Sequence, residues 1–238
     1  VVTALTAQNT RGVFAVHDAP ADFIAAQIDA VFSDLHVAAI KIGMLSQKAA
    51  IEAVAAGLAR YGRTDAVLDP VMVSTNGDRL LAAGALDALK RLLIPQARLI
   101  TPNLPEAAAL LETAPAESET EMQRQAEKLI ALGARAVLIK GGHGLGSSSV
   151  DLLVSHEGLM RFEAKRIATK NTHGTGCTLS SAIAAGLARG LDLAPAIGEA
   201  KAYVTAAIAG ADRLAVGSGS GPLDHFHHWR ERSGGRAI

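Results

Sequence analysis

The sequence has few cysteines, few aromatic residues and no net charge. Only one of its 238 residues is a cysteine, and Phe, Trp and Tyr together make up 3%. Because the single thiol, Cys177, has no partner for an internal disulfide, the sequence favours a cytoplasmic protein over a disulfide-stabilised secreted one. The 23 Lys and Arg residues balance 23 Asp and Glu residues. A general nucleic-acid binder carries excess positive charge and is therefore not expected.

Long apolar runs are also missing. No stretch reaches the about 18 uncharged apolar residues that a transmembrane helix needs. Residues 1–16 lack the basic start and apolar core of a signal peptide. Hydrophobic residues make up 49% of the chain and charged residues 19%, which argues against disorder as the resting state. We therefore expect a folded protein that does not associate with membranes.

Short apolar runs alternate with longer segments in which apolar residues recur at helical spacing. The strand candidates are residues 37–42, 66–68, 99–101 and 136–139, followed by a hairpin of 149–155 and 160–164. The helical patterns cover residues 48–60, 84–93, 105–111, 119–132, 178–187 and 195–210. Repeated alternation of strand and helix predicts parallel βαβ units, and hence a three-layer α/β/α fold with a mostly parallel central sheet.

Polar residues follow three of the predicted strands at the point where each strand ends. They are Asp69, Asn103 and Lys140. In open α/β sheets, ligands bind outside the carboxyl ends of the strands. We therefore expect the active site at this edge of the sheet.

The most informative segment is a glycine-rich turn that leads into an alanine-rich helix. It reads Asn-Thr-His-Gly-Thr-Gly-Cys over residues 171–177. Glycines allow a tight turn, and the free N–H groups at a helix N-terminus bind anions. The positive end of the helix dipole is expected to lower the pKa of Cys177, which would then act as a base or nucleophile. A buried, inert cysteine at an ordinary helix start is the competing interpretation.

This turn differs from the common nucleotide-binding motifs. It lacks the Lys-Ser/Thr ending of a P-loop and the spacing of GxGxxG. Asp69 and Glu106 could hold a hydrated Mg²⁺ beside the phosphates, and Lys140 could reach a phosphate as a point charge. Taken singly, these residues have plainer explanations: Asn103 and Glu106 as a helix cap, Asp69 as a turn residue, and Lys140 as a surface charge.

Taken together, the motifs resemble the ribokinase-like superfamily, in which Cys177 replaces the usual Asp and indicates the vitamin-kinase branch. The finer resemblance is to the hydroxymethylpyrimidine/phosphomethylpyrimidine kinases of thiamine biosynthesis. It rests on segments in the expected order along nearly the whole chain, at residues 3–10, 41–45, 68–72, 101–106, 140–143, 173–177 and 221–227.

The resemblance implies phosphorylation, with ATP and Mg²⁺, of a hydroxymethylpyrimidine and then of its monophosphate. It implies that the catalytic centre consists of Cys177 as the base and of Gly174, Thr175 and Gly176 as an anion hole. The substrate-binding positions that it implies are Gln8, Gly43, Met44 and Val71. The implied ATP and phosphate positions are Asn103, Lys140 and Lys201, and the implied metal positions are Asp69 and Glu106. Met44 is also open to interpretation as an ordinary core residue.

The chain departs from the family pattern at its start. The strand, glycine-rich turn and acidic residue that normally precede the segment matching Val1 are missing, so we expect residues 1–238 to form a single, N-terminally incomplete ribokinase-like kinase domain. The resemblance further implies a cytoplasmic homodimer that binds a small pyrimidine and ATP. Two alternatives remain open: a pyridoxal or pyridoxine kinase, and a non-catalytic remnant that binds nucleotide or pyrimidine.

Overall fold

Six strands form the central sheet of the computed structural model, which describes residues 1–72, 80–82, 84–143 and 146–232. Their order across the sheet follows the chain: β3 Lys41–Ile42, β4 Ala66–Leu68, β5 Ala97–Ile100, β6 Ala136–Lys140, β7 Ser148–Ser155 and β8 Gly158–Lys165. The first four strands are parallel, whereas β7 and β8 add an antiparallel hairpin. The prediction of a mostly parallel sheet is confirmed.

Each face of this sheet is covered by its own group of helices. Side chains alternate between the two faces of a strand. In β4, Leu68 therefore packs into the core on one face and Val67 into the core on the other. The first face carries α1 Ala21–Phe32, α2 Lys48–Arg60, α3 Ala85–Ala88, α4 Leu104–Leu111 and α5 Glu119–Ala131, and the second carries α6 Thr175–Ala188 and α7 Leu193–Gly210. This arrangement is the predicted three-layer α/β/α fold.

Two predicted elements are shorter or less regular than expected. The strand predicted over residues 37–42 pairs only at Lys41 and Ile42, since its neighbour β4 is three residues long. The helix predicted over 84–93 begins as α3, widens into a π-turn at Leu89–Leu93 and ends in a 3₁₀ turn at Ile94–Gln96. Pro95 lies in that last turn and cannot donate the backbone hydrogen bond that an α-helix would need.

An N-terminal hairpin, absent from the predicted elements, stands apart from the central sheet. Its strands are β1 Ala4–Asn9 and β2 Gly12–Asp18, paired antiparallel. Near its base, the Thr3 hydroxyl donates to the carbonyl of Met44 at 2.9 Å. At its tip, the backbone N–H of Gly219 donates to the Thr10 hydroxyl at 3.2 Å. The hairpin therefore spans from the end of β3 to the loop that follows α7.

The last described elements are a 3₁₀ turn at Ala211–Arg213 and a short helix, α8 His227–Arg232. Within the described part of the chain, none of the helices combines the length and the apolar character that crossing a membrane requires.

Candidate active site

A cluster of buried charges lies at the carboxyl edge of the sheet. The Lys140 ammonium, at the end of β6, is 2.7 Å from a carboxylate oxygen of Asp69 and 3.9 Å from one of Glu106. Asp69 follows β4 directly, and Glu106 lies in the first turn of α4. The structure thus brings together Asp69 and Lys140, which the strand-end pattern predicted for one site, and Glu106, which was considered beside them as a metal ligand.

Asp69 is enclosed on several sides and is 1% exposed. The hydroxyl of Thr101 donates to its first carboxylate oxygen at 3.2 Å, and the hydroxyl of Ser180 to its second at 3.3 Å. Sequence analysis missed both of these residues. Thr101 follows β5 at the same edge as Asp69, which is a usable signal, whereas Ser180 comes from α6 and is 111 positions away.

Glu106 serves both as a helix cap and as a member of the cluster. Asn103 accepts the Glu106 N–H at 2.9 Å, and Glu106 accepts the Asn103 N–H at 2.8 Å, which forms a complete capping box. The plain interpretation of this pair as a helix cap is therefore confirmed. Burial raises the pKa of Glu106 above its ordinary value, against the opposing effect of Lys140. The carboxylate depends on Lys140 to remain ionised.

Burial has the opposite effect on the pKa of Lys140. Burial alone would lower its pKa, but the negative charges of Asp69 and Glu106 outweigh burial and raise it. The ammonium is therefore firmly protonated, and its charge is already balanced inside the protein. The prediction that Lys140 is an ordinary surface charge is wrong.

The glycine-rich turn brings the start of α6 against this cluster. Gly174 caps the helix with φ +81°, a left-handed conformation that glycine adopts without steric cost. A Cβ atom at Gly176 would lie 3.1 Å from the Lys140 ammonium, so glycine allows the close approach. The cap has no side chain that could accept the first N–H groups of the helix. The N–H of Thr175 donates to the carbonyl of Thr172 at 3.2 Å, and the N–H groups of Gly176 and Cys177 are those left for an anion.

Cys177 lies in the first turn of α6 and is exposed to solvent, so the competing prediction of a buried, inert thiol is wrong. The prediction that the pKa of Cys177 is lowered is also wrong. Loss of hydration among the neighbouring protein atoms raises the pKa of Cys177, and Asp69 raises it further, while Lys41 and Lys140 oppose this effect. The helix dipole does not outweigh the cost of desolvating a thiolate at this position.

Lys41 is the third functional candidate that sequence analysis missed, after Thr101 and Ser180. It was part of a recognised motif, but no role was derived for it. Against the larger effect of desolvation, its charge acts to lower the pKa of Cys177, which places a second cation near the start of α6. A lysine in a strand that is otherwise apolar was the available signal.

The predicted substrate-binding residues surround the other side of the turn. The amide nitrogen of Gln8, on β1, lies 3.5 Å from a ring nitrogen of His173, next to the cap glycine. Gly43 and Met44 follow β3 directly, and Met44 is held by the base of the hairpin. The backbone N–H of Val71 donates to the carbonyl of Asp69 at 2.8 Å. The hairpin therefore contacts both the segment that follows β3 and the glycine-rich turn.

Lys201 does not join this cluster. It is buried in α7, and its ammonium lies 2.7 Å from a carboxylate oxygen of Asp151 on β7. The other oxygen of Asp151 accepts the backbone N–H of Gly141 at 3.0 Å. Lys201 therefore reaches the site through Asp151 and the residue after Lys140, and direct contact with ATP phosphates stays a prediction.

A cavity of about 480 Å³ lies next to the segment that leads into the glycine-rich turn. It is lined by residues 168–171, which lead into the turn, and by Asp212 and residues 214–217 beyond α7. The amide of Asn171 donates to Asp212 at 2.8 Å and accepts the backbone N–H of Gly221 at 3.0 Å. The wall of the cavity is thereby joined directly to the anion-binding turn.

The site fits a hydrated metal ion better than a dehydrated one. Across the described ranges, no three His, Cys, Asp or Glu side chains cluster closely enough to hold a metal by themselves. Both oxygens of Asp69 already accept hydrogen bonds, and Glu106 caps α4. Two acidic groups with occupied oxygens suit Mg²⁺, which keeps several waters and takes its remaining ligands from phosphates.

Comparison with known proteins gives a consistent result. The family model described as phosphomethylpyrimidine kinase matches residues 1–224. A hydroxymethylpyrimidine/phosphomethylpyrimidine kinase from Rhizobium meliloti is 56% identical over 229 residues, covering 96% of this chain and 86% of the relative. The relative of the same description from Escherichia coli is 52% identical over the same shares of the two chains.

Solved structures agree at the level of the fold. The crystal structure of a phosphomethylpyrimidine kinase from Clostridium difficile matches with TM-score 0.76 and 40% identity, covering 86% of this chain and 84% of that one. A pyridoxal kinase from Bacillus subtilis, solved as an ADP complex, matches with TM-score 0.85 and 33% identity, covering 95% and 84%.

Proposed function

Because the chain belongs to the phosphomethylpyrimidine kinase family, we propose that it phosphorylates 4-amino-5-hydroxymethyl-2-methylpyrimidine and then the resulting monophosphate in thiamine biosynthesis. The observation that carries this proposal is the identity of 56% to a kinase of that description over 96% of the chain. The cluster of Asp69, Lys140 and Glu106 beside a glycine-rich helix start suits such a reaction, because phosphoryl transfer depends mainly on positioning and on neutralising charge.

ATP is the phosphoryl donor, and its base and ribose occupy the cavity lined by residues 168–171 and 214–217. The volume of the cavity and its continuity with the turn at Gly174 support this assignment. The B. subtilis pyridoxal kinase, which shares the fold, was solved with ADP. The phosphates then extend from the cavity towards the start of α6, with Asn103 and Lys140 on their other side.

The N–H groups at Gly174, Gly176 and Cys177 bind the transferred phosphoryl group, and Thr175 holds the turn in shape by donating its N–H to the carbonyl of Thr172. Lys140 lies close to Gly176, and its charge stabilises the negative charge that develops on that group. Lys201 stabilises this arrangement indirectly, because it pairs with Asp151, which accepts the backbone N–H of Gly141 next to Lys140.

A Mg²⁺ ion carried by ATP fits next to Asp69 and Glu106 through its own waters, where it would balance charge on the phosphates. These two carboxylates are the acidic groups next to Lys140, so they orient the lysine in addition to any contact with hydrated metal.

Cys177 accepts the proton of the substrate hydroxyl in the first phosphorylation. Its exposure and its place beside the turn support this role. In the second phosphorylation the acceptor is already anionic, so the base contributes less. The pyrimidine binds beside Gln8, Gly43, Met44 and Val71, and the Gln8 amide contacts the edge of the ring.

Pyridoxal phosphorylation is the weaker candidate. The pyridoxal kinase of B. subtilis is 33% identical to the chain, well below the 56% of the pyrimidine kinase. The deciding experiment measures ADP release with the hydroxymethylpyrimidine, its monophosphate and pyridoxal as separate acceptors. We expect turnover with the first two acceptors, and turnover with pyridoxal alone would overturn the proposal.

The active form is a cytoplasmic homodimer. The dimer is supported by the apolar side chains that the hairpin exposes, among them Leu5 at 61% and Phe14 at 68%, since exposed apolar patches are typical of contact surfaces. Consumption of ATP favours the cytoplasm. Light scattering after size exclusion should give twice the mass of one chain, and the mass of a single chain would contradict the dimer.

A further inference from the structure

Lys41 faces the start of α6 because of its place in β3. In the parallel ladder with β4, Lys41 pairs with Val67 and Ile42 pairs with Leu68. Ile42 and Leu68 pack into the core on the α2 face, whereas Val67 packs into the core formed by α6 and α7. Since consecutive side chains alternate between faces, the Lys41 side chain projects to the α6 face.

The position of its ammonium group is confined by Gly43 and Cys177. A Cβ atom at position 43 would lie 2.4 Å from the Lys41 nitrogen, so any other residue there would displace the ammonium. On the other side, the ammonium lies close enough to the Cys177 thiol to lower its pKa, against the larger effect of desolvation. The half-buried lysine therefore presents its charge where the acceptor's reacting group must lie if Cys177 takes its proton.

Among the described residues, no carboxylate balances the charge of Lys41. Lys140 has Asp69 and Glu106 as partners. For Lys41, the described ranges contain no carboxylate within ion-pair distance, and its side-chain partner is the neutral thiol of Cys177. A half-buried cation without a counter-ion favours binding of an anion at that place.

We propose that Lys41 binds the phosphate of the monophosphate acceptor in the second phosphorylation. This inference rests on the proposed function. In the first reaction the acceptor is an uncharged alcohol, so Lys41 has no phosphate to bind there and acts only through its effect on the pKa of Cys177. In the second, a phosphate of the acceptor must approach the negatively charged terminal phosphate of ATP, and Lys41 offsets that repulsion.

The second reaction is balanced without a base. An oxygen of the acceptor phosphate forms a bond to the terminal phosphorus of ATP. The bond from that phosphorus to the bridging oxygen breaks, and its electron pair leaves with ADP. Lys41 remains protonated throughout and acts by position and charge.

The test compares Lys41→Met, which keeps the length of the side chain and removes its charge, with Lys41→Arg, which keeps the charge. Loss of a charged hydrogen bond to phosphate should raise KM for the monophosphate by about 10- to 100-fold in Lys41→Met. KM for the alcohol and KM for ATP should change by less than about threefold. Lys41→Arg should recover most of the loss.

Calorimetric titration of the monophosphate without nucleotide gives an independent result. Its affinity should fall in Lys41→Met, while the affinity for the alcohol stays the same. Lys48→Met is the matched control, because Lys48 lies on the exposed surface of α2 in an ion pair with Glu52. We expect both affinities to be unchanged in this control.

A second experiment separates binding of the acceptor phosphate from an effect through Cys177. In a Cys177→Ala background, Lys41→Met should still raise KM for the monophosphate, because the phosphate contact does not need the thiol. No further change in that background, or equal changes for both acceptors, would overturn the proposal. Wild-type protein that phosphorylates neither acceptor would instead overturn the proposed function itself.

Discussion

The two lysines at the start of α6 differ in how their charges are balanced. Lys140 lies between Asp69 and Glu106 in a cluster that is almost fully buried, whereas Lys41 projects beside an exposed thiol without a carboxylate partner in the described structure. The buried cluster is preorganised and keeps its charges fixed, which suits the donor side of a phosphoryl transfer.

The region around Lys41 and Cys177, which we call the open side, has a different consequence. An acceptor that changes from an uncharged alcohol to a phosphate requires a site that tolerates both. A titratable thiol beside a cation without a described carboxylate partner meets that requirement, since the thiolate form accepts the proton of the alcohol and the cation binds the phosphate. Substitutions in the closed cluster of Asp69, Glu106 and Lys140 should therefore slow both reactions. Substitutions at the open side should affect one reaction more than the other.

The largest effect is expected for Lys140→Met. Both phosphorylations should lose about 10³-fold in kcat, because a group that stabilises the transferred phosphoryl is removed. Two buried carboxylates would also lose their cation, which should lower the free energy of unfolding by about 3 kcal/mol. Steady-state assays with each acceptor and urea denaturation measure the two effects.

Lys90→Met is the control for this change. Lys90 forms an ion pair with the exposed Glu112, and such surface pairs contribute little. Its kinetics and stability should match the wild type. A loss confined to one of the two reactions in Lys140→Met would break the distinction between the closed cluster and the open side.

The next effect is that of Cys177→Ala. The first phosphorylation should lose about 100-fold in kcat, the lower part of the range for a general base. The second should lose much less, because its acceptor is already ionised. Equal losses in the two steady-state rates would show that the thiol does not act as the base.

The sequence allowed the edge of the sheet to be predicted as the site, because polar residues that end parallel strands must meet there. Asp69 and Lys140 illustrate this, since each follows an apolar run of recognisable length. The ion pair between them joins positions 71 apart, and that contact depends on the order of the strands, which periodicity does not give. Ser180 was not predicted for the same reason.

The N-terminal elements were missed for other reasons. The hairpin strands are largely exposed on both faces, so no alternation of apolar and polar residues marks them. In α1, Ile24 and Ile28 are buried four positions apart, a spacing that could have predicted the helix. The direction of the pKa shift at Cys177 required knowing how closely α6 packs against its neighbours.

A smaller effect is expected from pH. Because desolvation raises the pKa of Cys177, the thiolate forms only in the alkaline range, above the ordinary titration of a thiol. The rate of the first phosphorylation should therefore rise by about tenfold per pH unit while the pH remains below that pKa. The rate of the second should not follow, and Cys177→Ala should remove the dependence.

The free energy of unfolding depends on the same titration of Cys177, but it falls as the pH rises, whereas the rate increases. A folded-state pKa above the unfolded value means that the folded protein holds the proton more tightly. This contribution is complete below the unfolded pKa and is lost as pH rises through the folded pKa. Circular dichroism across the same pH range shows whether loss of folded protein limits the measured phosphorylation rates. A first phosphorylation that is already at its maximum at neutral pH would contradict the raised pKa.

The smallest effect on the rates is expected for Lys201→Met. Asp151 would lose its cation but still accept the N–H of Gly141, so Lys140 should keep its place, and KM for ATP should change by less than about threefold. The free energy of unfolding should fall by about 3 kcal/mol, since a buried carboxylate is left unpaired. Asp151→Asn in the same chain should restore part of it, because the uncharged amide oxygen can still accept that N–H.

Arg189→Met, in the exposed pair with Glu199, is the control and should change neither quantity. A rise of more than about tenfold in KM for ATP with unchanged stability would instead show that Lys201 binds the phosphates directly.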